Sequence, residues 1–213
     1  MEFKAAIFDL DGTLVDSFDI WKQIDIKFLE KRGFCVTDDY LNKISACSFR
    51  EAAEYTISRF GLCESAEEIM DEWHGMAIYE YSHNIPLVPN ASDYIKKLKE
   101  LGVKTALATS AIEELYKPCL ENNRIHDLFD VTCSVDEVGR GKNYPDIYLH
   151  ISDILGIKAG DCIVFEDVLP AVKSAKKAGM KVYGVYNGNY ADTKEIEKEA
   201  DGLIRSFADA PLP

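Results

Sequence analysis

Several features common in proteins are missing from this sequence, and each absence narrows its chemistry. None of the six cysteines (Cys35, Cys47, Cys63, Cys119, Cys133, Cys162) forms a C-x-x-C pair, and their spacing resembles no zinc pattern. The four histidines (His74, His83, His126, His150) share no i, i+3 or i, i+4 spacing, so a histidine-ligated metal is not expected. No apolar stretch approaches the roughly 18 residues of a membrane span. Positive charge is scarce: 24 Lys and Arg face 37 Asp and Glu, leaving a net charge of −13. That balance argues against nucleic acid and anionic membrane surfaces as partners, because both are bound by excess Lys and Arg. Repeats and low-complexity segments are absent. Met1-Glu2-Phe3-Lys4 runs straight into an apolar segment, so no signal peptide is expected. These absences together predict free thiols in a reducing, cytoplasmic protein.

What is present begins with Ala5-Ala6-Ile7-Phe8, an apolar run ending abruptly in Asp9-Leu10-Asp11-Gly12-Thr13. Such a run reads as a buried strand of a parallel sheet, with the acids beyond its carboxyl end. Residues 18–84 then read as all-helical. Asp16-Ser17 is a candidate cap for a helix over Phe18–Lys31, a short helix follows from Thr37 to Ile44, and Ser48-x-x-Glu51 and Ser65-x-x-Glu68 fit capping boxes. From Pro86 onward strands and helices alternate. Strands are expected at Val103–Ala108, Phe129–Val135, Cys162–Phe165, Lys181–Tyr186 and Gly202–Ile204. The helices between them are expected over Ala91–Leu101, from Ala111 with an interruption at Pro118, over Pro145–Leu155, over Leu169–Ala178 and over Thr193–Glu199. Repeated βα units predict an α/β fold, a doubly wound parallel sheet. The core domain is expected over residues 1–16 and 85–213, with a helical domain over 17–84 inserted after the first strand.

Chemistry-bearing residues recur at the carboxyl ends of the expected strands or in the loops just after them: Asp9 and Asp11, Thr109 and Ser110, Lys142, Glu166 and Asp167. In a parallel sheet these ends line one edge, so groups far apart in sequence converge there. Taken singly, each has a bland reading: Asp-Gly is turn chemistry, Thr109 and Glu166-Asp167 suit helix caps, and Lys142 suits a solvated loop. As a set they are coherent. Hard carboxylate ligands suit Mg²⁺, while Lys142, Thr109, Ser110 and the amino end of the helix from Ala111 suit a phosphate. A carboxylate nucleophile beside Mg²⁺ and a phosphate cradle describes phosphoryl transfer through an aspartyl-phosphate.

The same residues resemble the motifs of the haloacid dehalogenase superfamily. Asp9-x-Asp11-Gly12-Thr13 resembles motif I, a pattern that arises by chance in about one chain of this length per thousand. Ala108-Thr109-Ser110 resembles motif II, Gly141-Lys142-x-x-Pro145-Asp146-Ile147-Tyr148 motif III, and Phe165-Glu166-Asp167 motif IV. The helical insertion is similar to the cap of the β-phosphoglucomutase-like branch. The resemblance implies a Rossmann-like core, Mg²⁺ held by Asp9, Asp11, Glu166 and Asp167, and a phosphate held by Thr109, Ser110 and Lys142. It also implies Asp9 as nucleophile and Asp11 as the acid that protonates the leaving oxygen and then activates water.

Two reactions fit such a site. Mutases of the β-phosphoglucomutase type carry a histidine shortly after motif I and a Lys and an Arg on a cap loop. Here Trp21 stands at the histidine's position, Ala46 at the lysine's, and Arg50 alone remains as a contact to a distal phosphate. The expectation is therefore a Mg²⁺-dependent phosphatase acting on a small phosphorylated metabolite, with Trp21 and Arg50 as candidate substrate contacts. A sugar-phosphate mutase is the alternative, and a non-catalytic phospho-ligand binder the third reading.

Overall fold

The computed structural model describes the chain except Met1, Ser45, Ala46, Asn187 and Asn189, and the side chains of Asn42, Tyr190, Ala191 and Asp192. In chain order the elements are β1 (Ala5–Phe8), α1 (Ile20–Glu30), α2 (Asp38–Ile44), α3 (Phe49–Phe60), α4 (Ala66–His83), α5 (Ala91–Glu100), β2 (Lys104–Thr109), α6 (Glu113–Asn122), β3 (Val131–Ser134) and α7 (Val135–Val138). They continue with α8 (Asp146–Leu155), β4 (Cys162–Glu166), α9 (Leu169–Lys177), β5 (Lys181–Val185), α10 (Tyr190–Glu199) and β6 (Gly202–Ile204). The fold divides into two units, Met1–Phe18 with Ile85–Pro213, and Asp19–Asn84.

The first unit is a six-stranded sheet in the order β3-β2-β1-β4-β5-β6, with every pairing parallel. Because β1 carries β2 on one side and β4 on the other, the strand order reverses between β1 and β4. Open α/β sheets bind ligands in the crevice at such a switch point. All four residues of β1 and all five of β4 are buried, as a strand covered on both faces requires. On one face Phe8 stacks on Phe165 with centroids 5.0 Å apart, and Tyr94 and Phe207 pack around the pair. On the other, Ile7, Val164, Ala108 and Cys133 meet Ile147, Tyr148 and Ile151 of α8 and Val172 and Ala175 of α9. The doubly wound α/β architecture expected from the sequence is the one observed.

The second unit is all-helical. Ser48 and Ser65 form full capping boxes with Glu51 and Glu68, and α3 ends at Gly61 with φ +63°. Phe28 of α1 meets Trp73 of α4 edge-on at 5.4 Å, and Arg32 lies over Phe28 while its guanidinium bonds Glu64 and Glu72.

Four local expectations are corrected. Asp16-Ser17 does not cap α1: the cap residue is Asp19, the Asp16 amide donates to the Pro86 carbonyl, and the Ser17 hydroxyl donates to Asp11. The helix after β2 begins at Glu113 rather than Ala111, because the Ala111 amide turns back to Thr109 Oγ1 at 2.9 Å. Pro118 sits inside α6 without ending it. Having no N–H, it leaves the Glu114 carbonyl one donor short, and flanking burial of Leu115, Cys119 and Leu120 carries the helix through. Finally, the strand expected over Phe129–Val135 stops at Ser134, whose capping box with Glu137 starts the one-turn helix α7.

Candidate active site

Registry builds the site. Phe8 pairs with Phe165, and the Asp9 amide donates to the Phe165 carbonyl at 3.0 Å, so Asp9 and Glu166 leave their strands side by side. Gly12, at φ +79°, supplies the left-handed turn that sends the chain back so that its amide reaches the Val15 carbonyl at 3.0 Å. Donor oxygens of Asp9, Glu166 and Asp167 all lie within 4.8 Å of one another, and all three residues are buried. Lys142, delivered by the loop between α7 and α8, is 8% exposed. Its ammonium bonds Asp9 Oδ1 and, at 2.6 Å, Glu166 Oε1.

Glu166 is held on every side. Oε1 accepts from Lys142 and from the Tyr148 hydroxyl at 3.0 Å, and Oε2 from the amides of Asp167 and Val168 at 3.1 and 3.4 Å. With two donors on each oxygen, its lone pairs are taken. Thr13 donates to Asp167 Oδ1 at 3.4 Å, and Ser17 donates to Asp11 Oδ1 at 2.7 Å. Tyr148, Thr13 and Ser17 are roles the sequence reading missed. Tyr148 and Thr13 lay within quoted motifs, but contacts spanning 18 and 154 residues leave no local signature.

Burial pushes the Asp9 carboxyl well above the usual range, Lys142 opposes it, and Glu166, Asp167 and Asp11 add to the push. Burial alone would lower the Lys142 ammonium, but Asp9 and Glu166 outweigh it and raise it. Lys142 therefore stays charged. Fully ionised, three carboxylates face one ammonium, an excess that a divalent cation balances. The donor set is all oxygen, which fits Mg²⁺, and a cation there would reverse the upward push on Asp9.

Thr109, fully buried at the end of β2, fixes the turn to Ala111 through its hydroxyl oxygen, and Ser110 beside it is exposed. The remaining candidates lie in the helical unit. Arg50 pairs with Glu67 at 2.8 Å on the helix surface, and Trp21, 43% exposed, meets Phe49 edge-on. Ala46 lies outside the described residues.

The pattern of the haloacid dehalogenase-like hydrolases matches residues 6–185. A phosphorylated carbohydrates phosphatase of Thermotoga maritima is 29% identical over 95% of this chain and 94% of its own. A validoxylamine A 7′-phosphate phosphatase of Streptomyces hygroscopicus subsp. limoneus is 27% identical over 99% and 97%. Among solved structures, a candidate β-phosphoglucomutase from Thermotoga maritima superposes with a TM-score of 0.87 at 28% identity, covering 96% of this chain and 94% of that one. With four motifs at one edge of a doubly wound sheet, three at strand ends and one on the α7–α8 loop, and a match across most of its length, this chain belongs to the haloacid dehalogenase-like hydrolases, in the β-phosphoglucomutase-like branch.

Proposed function

We propose that this protein is a Mg²⁺-dependent phosphatase of a small phosphorylated carbohydrate or related polyol, working through an aspartyl-phosphate on Asp9. The observation that carries the reading is the buried cluster of Asp9, Glu166 and Asp167 around Lys142 at the switch point. The relatives named as phosphatases of phosphorylated carbohydrates and of validoxylamine A 7′-phosphate support the substrate class.

Asp9 and Asp167, with the Asp11 carbonyl, would hold Mg²⁺, and Glu166 would hold Lys142 and the Asp167 turn in place. Direct ligation by Glu166 needs one of its four donors to let go. The bound ion would supply electrostatic stabilisation of the transferring phosphoryl oxygens. Asp9, desolvated at the end of β1, attacks phosphorus; the P–O bond to the alcohol breaks, and Asp11 gives the departing oxygen its proton. Water, its proton taken by Asp11, then attacks the phosphorus of the aspartyl-phosphate, releasing inorganic phosphate and free Asp9. Lys142 and the hydroxyl of Thr109 neutralise and orient the phosphoryl oxygens, joined by the Ser110 amide. Ser17 is the positioning residue for Asp11.

The mutase reading is weaker, since Trp21 and Arg50 are engaged with Phe49 and Glu67. A panel of hexose, pentose and polyol phosphates tests both readings. Hydrolysis predicts one inorganic phosphate per substrate consumed, dependent on Mg²⁺ and lost in Asp9→Asn. Conversion of a hexose 1-phosphate to the 6-phosphate without phosphate release would replace hydrolysis with the mutase reaction.

A further inference from the structure

We propose that Cys133, Glu137 and His150 form a second metal site, for Zn²⁺, that clips together the two ends of the loop carrying Lys142. The Cys133 thiol, a Glu137 carboxylate oxygen and a His150 ring nitrogen lie within 4.8 Å of one another. They come from three elements, β3, α7 and α8, which explains why linear spacing does not reveal them. Thiol, imidazole and carboxylate form a borderline-soft set that prefers Zn²⁺ to Mg²⁺, the opposite of the all-oxygen cluster at Asp9. The two sites therefore sort two metals by chemistry.

The geometry needs only small adjustments. Tetrahedral zinc with ligands at 2.0–2.3 Å places donor atoms about 3.4 Å apart. Cys133 is buried and fixed on its strand, whereas Glu137 and His150 are exposed and the His150 ring can turn inward from the surface of α8. Glu137 Oε1 accepts the Ser134 amide at 2.8 Å, which holds the carboxylate near Cys133 and leaves its second oxygen for the metal. On binding, the Cys133 S–H bond breaks, its proton passes to solvent and an S–Zn bond forms. Three protein ligands leave a fourth position for water. Glu137 precedes the Gly139–Pro145 segment and His150 follows it, so the ion braces Lys142 from both sides.

The test is a Co²⁺ titration of the full chain in saturating Mg²⁺, which keeps the acidic cluster filled. The expected result is a thiolate-to-cobalt absorption band that Zn²⁺ displaces, lost in Cys133→Ser and appearing with affinity lower by at least about tenfold in His150→Ala. His150 is exposed, so its variant carries the test even where Cys133→Ser folds poorly. Absence of the band in the unmodified protein, its persistence in Cys133→Ser, or unchanged affinity in His150→Ala overturns the proposal. A band unchanged in both variants would place the metal on surface thiols such as Cys35 and Cys63.

Discussion

At the scale of the residue, the site turns on how four charges share one buried space. Asp9 and Lys142 are both nearly removed from water, so each depends on the other for its charged form. Removing the nucleophile should be the most damaging single change: Asp9→Asn is expected to lower kcat by at least about a thousandfold, measured as phosphate release in Mg²⁺. Tyr148 offers a finer probe. Its hydroxyl donates to Glu166, so Tyr148→Phe removes one hydrogen bond to a carboxylate, an interaction of about 1.5–3 kcal/mol. The Mg²⁺ concentration for half-maximal activity should rise roughly tenfold with kcat much less affected. An unchanged Mg²⁺ requirement would show that Tyr148 only fills space.

At the scale of the element, strand ends and helix starts were legible to different degrees. The buried run before Asp9 and the apolar run before Glu166 were plain, because a strand covered on both faces leaves an unbroken apolar signature and a sharp polar end. The α7 turn hid within an expected strand, although Ser134-x-x-Glu137 is the same capping pattern that marked α3 and α4. Pro118 misled in the other direction, since packing of its neighbours outweighs one lost backbone bond. Ser17 reads as a cap in the sequence because its partner, Asp11, lies on the far side of the left-handed turn at Gly12.

The helical unit carries a cost of its own. Asp25 of α1 is buried, bonded only weakly to Tyr40 at 3.4 Å, and burial pushes its carboxyl up to about 7 against the Tyr40 hydrogen bond. Its folded value lies above its unfolded one, so between about pH 4 and pH 7 the unfolded chain holds fewer protons. Stability from this group thus falls as pH rises through that window and levels off above it, a change of at most about 4 kcal/mol. Urea unfolding of Asp25→Asn should show a flatter pH dependence than the unmodified protein between those limits. Parallel pH profiles for the two would refute the assignment.

At the scale of the whole molecule, a chain of net charge −13 concentrates three of its acids at one buried point and leaves a cation to balance them. Binding that cation should stabilise the fold itself. At a hundred times its Kd, Mg²⁺ contributes about 2.7 kcal/mol, enough to raise Tm by several degrees in a chain of this size. Asp167→Asn should abolish most of the shift, and an equal shift in that variant would move the ion elsewhere. Among the described residues no helix is long and apolar enough to cross a membrane.

The central claim is that Asp9 carries the phosphoryl group. Rapid mixing of the protein and Mg²⁺ with a sugar phosphate that it hydrolyses, followed by acid quench and peptide mapping, tests it most directly. The account predicts a hydroxylamine-labile phosphate on the peptide containing Asp9, formed before inorganic phosphate appears and absent in Asp9→Asn. Full turnover with no phosphorylated peptide, or with the phosphate on another residue, would contradict it.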